Sequence, residues 1–102
     1  MTTPDIPDLT PKEFVAMSLL VPAGRKMYGL ELVEHSGGEL KRGTVYVTLN
    51  RLEDKGYITS EKEPTAPGIA QPRRLYKVTG LGERAFRAVE ISRATLKQAF
   101  AL

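Results

Sequence analysis

The chain contains no cysteine, which excludes disulfides, thiolate metal sites and a cysteine nucleophile. It has no run of about 18 apolar residues, so no membrane-spanning helix is expected. The opening residues, MTTPDIPDLTP, offer neither a basic start nor an apolar stretch and do not read as a secretion signal. These absences make the cytoplasm the default location. Histidine occurs once, at His35. A single imidazole performs neither metal binding nor catalysis unaided, and near a helix C-terminus it reads as a dipole-stabilised surface group. There is no phosphate loop, no nucleophile–base pair and no pair of carboxylates beside an expected cleft. Gly80-Leu81-Gly82 is too short to mark a nucleotide site. Enzymatic activity is therefore not expected, and nothing calls for a cofactor or a metal.

What remains is a chain of 102 residues, 41% hydrophobic and 26% charged, enough for one small domain that leans on a partner subunit for further burial. The net charge is +3. Its distribution is more informative than its size. Between Lys41 and Lys77 lie eight basic and four acidic residues, whereas the rest of the chain carries seven and eight. The positive charge is concentrated mid-chain, as a polyanion-binding surface requires, although a solvated basic face accounts for it equally well.

Residues 1–9 hold two prolines and two aspartates and read as a loose arm. Thr10-Pro11-Lys12-Glu13 then supplies a capping residue, a first-turn proline and the acid of a capping box. This first helix is expected to reach about Leu20, with Phe14, Val15, Leu19 and Leu20 inward, and Pro22, Ala23 and Gly24 end it. A second helix, YGLELVEHSGG, is expected to turn Leu30 and Val33 inward and to stop at Gly37 and Gly38. A third spans about Thr44 to Lys55. Two β-prone runs follow, YITSEKE and RRLYKV, joined by PTAPGIAQP, whose three prolines exclude continued strand. Thr79 opens a long last helix whose first turn Gly80 and Gly82 weaken. Phe86, Val89, Leu96 and Phe100 form one stripe on it, interrupted by Arg93. No repeat is visible.

Three helices, a hairpin and a last helix are the layout of a winged helix-turn-helix: a mainly α, α+β fold in which the third helix enters the DNA major groove and the hairpin follows the backbone. In that third helix Val45, Leu49 and Leu52 recur at i, i+4 and i+7 and define an inward face. The opposite side carries Gly43, Val47, Asn50 and Asp54, with Arg51 close to it and Thr44 and Tyr46 flanking. Arg51 is suited to guanine, Asn50 to adenine and Val47 to a thymine methyl. Lys41, Arg42, Thr44 and Tyr46 are suited to phosphates, and Gln71, Arg73 and Arg74 place polar and basic groups on the wing. Each assignment has a plainer alternative. Tyr46 can pack beneath the second helix, Arg51 can pair with Glu53 or Asp54, and Arg73 and Arg74 can protect a strand edge.

MYGLEL, GTVYVTLNRLEDKGYITSEKE and RRLYKVTGLGERAF together resemble the PadR family of bacterial transcriptional regulators, over roughly Met27 to Phe86. The family pattern places Tyr-Gly in the second helix, Gly-Thr-x-Tyr-x-x-Leu-x-Arg-Leu-Glu-x-x-Gly across the third, and Arg-Arg-x-Tyr-x-Leu-Thr-x-x-Gly after the wing. The resemblance implies a homodimeric DNA-binding protein, commonly a repressor, with Thr44, Tyr46 and Arg51 at the DNA surface. Val47 stands where a proline is common, so the start of the third helix is expected to differ in detail. The single C-terminal helix is that of the short subfamily. Some short members hold planar drugs between subunits through tryptophan; this chain has none, so that mode is not expected, and the sequence names no other small-molecule effector.

A two-sided apolar helix on so small a domain also favours a homodimer on its own account, with Phe86, Val89, Leu96 and Phe100 in the interface. The alternative is that it folds back over the first helix. The expected division is then an arm at 1–9, a DNA-binding domain at 10–80 and a dimerisation helix at 81–102. A two-fold dimer would favour a palindromic site on double-stranded DNA. The competing function is a winged helix used only as a protein-binding module. Such a module would tolerate acids on the outward first half of the third helix, and there are none.

Overall fold

Thr10 caps the first helix as its sequence requires. In the computed structural model, which describes residues 8–63 and 73–100 but not the side chain of Phe100, the Glu13 amide donates to Thr10 Oγ1 at 3.2 Å. The Thr10 amide in turn donates to Glu13 Oε1 at 2.8 Å. Helix α1 runs Pro11–Ala23, carries Pro22 within its last turn, and closes on Gly24 in the left-handed conformation at φ 61°. Its buried side is Glu13, Ala16, Met17 and Leu20. Of the four residues expected inward, Leu20 is fully buried, while Phe14, Val15 and Leu19 are half-buried at the margin. Leu9, assigned to the loose arm, instead packs into the core.

The elements that follow are β1 (Met27–Tyr28), α2 (Gly29–His35), α3 (Val45–Asp54), β2 (Ile58–Lys62), β3 (Arg74–Val78) and α4 (Gly80–Phe100). The expected two-stranded hairpin is thus a three-stranded antiparallel sheet of order β1-β3-β2, with Met27 opposite Tyr76 and Tyr28 opposite Leu75. The third strand supports what would be a marginal hairpin. In α2 the inward residue is Leu32, fully buried, whereas Leu30 is exposed and Val33 half-buried. Val33 still packs against the core and Leu30 does not, a distinction that a seven-residue helix offers too few repeats to fix. Gly37 and Gly38 end the turn after α2 with φ of 62° and 88°.

Val45, Leu49 and Leu52 of α3 are fully buried against α1 and the sheet, with Leu20, Leu32, Ile58 and Tyr76 in the same core. The α4 helix begins where Thr79 accepts the Gly82 amide at 3.0 Å and donates to the Gly56 carbonyl at 2.7 Å. Gly82 is more than a weak helix former. A Cβ there would stand 1.9 Å from the Tyr57 carbonyl oxygen, so only glycine lets α4 cross the chain at that point. Beyond it Ala85, Phe86 and Val89 are buried in the protomer's own core, and Phe86 meets Phe14 at 5.2 Å between ring centroids. Phe86 and Val89 are therefore corrected from interface to core: the first half of α4 does fold back over α1. The core thus extends into the first half of α4. Arg93 lies over the Phe14 ring at 3.8 Å, and residues 90–99 are all exposed. No described helix is long and apolar enough to cross a membrane.

One charged group is enclosed by this packing. Glu13 is fully buried, and Lys55, just past the end of α3, reaches its Oε1 at 2.8 Å and the Asp8 carbonyl at 3.1 Å. Burial raises the Glu13 pKa, but the Lys55 ammonium and the Thr10 groups outweigh it and hold the carboxyl below its ordinary value. A carboxyl so depressed stabilises the fold above about pH 4.5 and ceases to do so as pH falls through its folded value. Replacing Lys55 with Met removes the largest lowering influence and leaves burial opposed only by the Thr10 hydrogen bonds, so the carboxyl is less depressed. The variant should be destabilised by about 1–3 kcal/mol at neutral pH, because a buried carboxylate loses its charged hydrogen-bond partner, and should recover part of that loss as pH drops towards 4.5. Urea melts at pH 7 and pH 4.5 measure both; a wild-type–variant gap that does not narrow in acid would discard the pairing.

Candidate nucleic-acid interface

With its apolar trio buried, α3 must present the remaining side to solvent. Tyr46, Val47, Asn50, Arg51 and Asp54 are exposed, Tyr46 at 43% and Val47 at 52%, as are Lys41, Arg42, Gly43 and Thr44 before it. Thr48 is turned inward and is buried. Arg51 forms no ion pair among the described residues. Glu53, its expected alternative partner, instead accepts from Ser60 Oγ on β2 at 2.7 Å. The asparagine–arginine edge is therefore left exposed among the described residues.

Tyr46 packs beneath α2, the plainer alternative weighed for it, while remaining partly exposed. Its ring lies over Gly29 at the start of α2, so closely that a Cβ on Gly29 would meet Tyr46 Cε1 at 2.7 Å. Its remaining surface lines a groove of about 500 Å³ between α3, the start of α2 and the wing. Tyr28, Glu31, Arg73, Arg74 and Tyr76 also border that groove. Sequence reading did not find it, because it depends on β1 bringing Tyr28 and Gly29 beside β3. Burial, and the nearby charges of Tyr46 and Glu53 against that of Arg74, raise the Tyr76 pKa.

The two wing arginines differ. Arg73 is 3.5 Å from the Glu63 carboxylate and lies 4.8 Å above the Tyr28 ring. The Tyr28 hydroxyl donates to the same carboxylate at 2.5 Å. That hydrogen bond first, then burial and the Glu63 charge, raise the Tyr28 pKa against the opposing Arg73, so it remains a neutral donor at physiological pH. Arg74 has no carboxylate partner among the described residues; its guanidinium donates to Ser60 Oγ at 3.0 Å. Gln71 lies outside the described residues. Opposite Arg74 stands Lys62, exposed and not singled out from the sequence. Strand alternation alone would have placed it on the Ser60 face, but only the register shows what it faces. Elsewhere Arg25 pairs with Glu31 at 2.9 Å and, first among the causes, lowers its pKa, with the Tyr28 amide assisting.

The sequence from residue 18 to residue 88 matches the profile of the transcriptional regulator PadR-like family. The chain belongs to that family. Solved structures agree. A PadR-family regulator from Eggerthella lenta is 28% identical, with a TM-score of 0.72 over 85% of this chain and 78% of that one. A PadR-like transcription factor from Bacteroides fragilis is 27% identical, with a TM-score of 0.72 over 85% and 84%. The PcaV regulator from Streptomyces coelicolor, solved with its natural ligand, shares the fold at 24% identity and a TM-score of 0.73; this chain covers only 60% of that one, and 90% of its own length is matched. No protein of curated function matches the sequence. The winged-helix α+β fold and membership among DNA-binding transcriptional regulators thus stand on the sequence and the architecture together, and this PadR-like chain carries the family's Tyr-Gly step at Tyr28-Gly29, where the Tyr46 ring is seated.

That seat is testable by stability alone. Gly29→Ala should cost about 1–3 kcal/mol through overpacking against the Tyr46 ring. Adding Tyr46→Ala should restore most of the loss, since the obstructing ring is gone. Losses that simply add in chemical denaturation would show that the two residues do not meet.

Proposed function

We propose that this PadR-like protein is a dimeric, sequence-specific DNA-binding regulator, acting as a cytoplasmic repressor, with α3 in the major groove and the wing on the backbone. The observation that carries the reading is the orientation of α3: three aliphatic side chains fully buried and an Asn50–Arg51 edge exposed and without an ion pair among the described residues. A helix that served only its own core would have no use for that edge. In this reading Arg51, Asn50 and Val47 meet base edges, while Lys41, Arg42, Thr44 and Tyr46 meet phosphates. A wing used only against protein would need no such basic, acid-free helix start.

The dimer is supported by the far half of α4. The helix face that is buried as far as Val89 continues past the end of the domain as Leu96, 56% exposed, with Ile91, 66% exposed, on a neighbouring side. Exposed apolar surface on a protruding helix favours a second copy of the chain. In this reading Leu96, with Phe100 as its expected continuation, carries the pairing of the helix from residue 81 onward, and Phe86 and Val89 only anchor it. Two copies of α3 would then address successive major grooves, about 34 Å apart, on a palindromic operator.

Selection from a random DNA pool should return a palindrome with half-sites one helical turn apart. Arg51→Ala should lose about 1–3 kcal/mol of discrimination at a single base pair of each half-site; no enrichment with the wild type, or an unchanged preference in the variant, would falsify the assignment. Leu96→Glu should convert the dimer to a folded monomer, seen as halved mass by sedimentation with helical circular dichroism retained. A variant that stays dimeric removes α4 from the interface.

A further inference from the structure

The register of β2 and β3 sets Lys62 directly opposite Arg74. Residues opposed in an antiparallel pair share one face of the sheet at about 4.5–5.5 Å between Cβ atoms, where like charges repel. Ser60 and Tyr76, the next opposed pair on that face, point towards the core and α3: Tyr76 is buried and Ser60 donates to Glu53. The carboxylates on or beside the wing are otherwise engaged, and Glu34, which borders the groove from α2, makes no ion pair with either cation. Glu61 is paired with Lys26, Glu63 with Arg73 and Tyr28, and Glu53 with Ser60. Among the described residues neither Lys62 nor Arg74 has an ion-pair partner. Edge protection requires scattered charge and does not explain two cations facing each other. The hydrogen bond to Ser60 holds Arg74 on the α3 side, where it borders the same groove as Tyr46.

We infer that Lys62 and Arg74 form a two-cation seat for one DNA phosphate at the wing side of the groove, with Tyr46 on the α3 side. Arg73, its charge offset by Glu63, takes no part. The inference rests on the DNA-binding reading above and adds a residue, a stoichiometry and a consequence for the free protein. The wing carries an unrelieved repulsion until an anion arrives, so binding residues here are destabilising ones.

Affinity for the selected duplex and for a random-sequence duplex, measured across a salt series, tests it. Lys62→Ala and Arg74→Ala should each weaken both duplexes, but because the remaining cation still neutralises the shared phosphate, neither should lower the slope of log affinity against log salt by a full phosphate. Only the double variant should lose the whole contribution of one phosphate, about 0.9 per wing. Lys77→Ala, on the other face of β3, should leave the slope unchanged. Independently of DNA, Lys62→Glu turns the repulsion into a cross-strand ion pair. It should raise Tm by about 2–5 °C while weakening DNA binding roughly tenfold or more at ~0.1 M salt. A slope loss of about 0.9 for each single variant and about 1.8 for the double, an unchanged slope in the double variant, an equal loss for Lys77→Ala, or a lower Tm for Lys62→Glu overturns the seat. A wild-type protein that binds neither duplex overturns the DNA reading itself, which the Tm measurement does not depend on.

Discussion

A buried carboxylate joins the two ends of the helix-turn-helix. Glu13 closes the first turn of α1 through Thr10 and receives Lys55 from the end of α3. Desolvating a carboxylate is expensive, so the pairing is obligatory once the core forms around it. That obligation has a geometric result. The C-terminal end of α3 is fastened to the N-terminal end of α1, and the aliphatic trio between Val45 and Leu52 fixes rotation about the helix axis. Position and rotation together determine which side chains face outward. Asn50 and Arg51 are available because Lys55 and Leu49 are not.

The second constraint is close approach, and glycine makes it possible at two places. Gly82 admits the Tyr57 carbonyl beneath α4, and Gly29 admits the Tyr46 ring beneath α2. Neither has the positive φ that marks Gly24, Gly37, Gly38 and Gly56. Their role is absence of bulk, not backbone freedom. One sets where the long helix leaves the domain and the other sets one wall of the groove, so both elements proposed to meet a partner are placed by missing side chains.

Much of this was legible in the sequence, for identifiable reasons. The Thr10–Glu13 box, the α3 trio and the glycine stops are local patterns read within a few residues, and each stands where the pattern put it. What escaped depends on pairing between distant segments. Met27 and Tyr28 form a strand only because Tyr76 and Leu75 lie beside them. Glu13 reads as a helix cap, and nothing nearby announces an ammonium group 42 residues away. Arg73 and Arg74 look equivalent in a string of letters; cross-strand register separates them, giving one a carboxylate and the other a lysine. Leu30 and Leu32 differ by two positions in a helix too short for its period to decide between them. The stripe on α4 is visible in the sequence, but periodicity cannot tell where one protomer's core stops along it.

That stopping point links the exposed features of the molecule. Self-contained domains bury their apolar stripes and pair their charges, since each failure costs stability that small domains have little of. Here the most exposed large apolar residues, Ile91 and Leu96, lie on the distal half of α4, and the in-register cations fall on the wing face that borders the groove. The first lacks hydrocarbon and the second lacks negative charge, so the two call for different partners, and they lie on different elements. A second protomer can satisfy the helix without touching the wing. In the proposed dimer, doing so would double the cationic surface and fix the spacing between its copies, adding to the base contacts of each α3 a preference for DNA whose half-sites repeat at that spacing. In that reading the order of dependence would run from the α4 stripe to the wing: subunit pairing would set the spacing that the two basic faces then address.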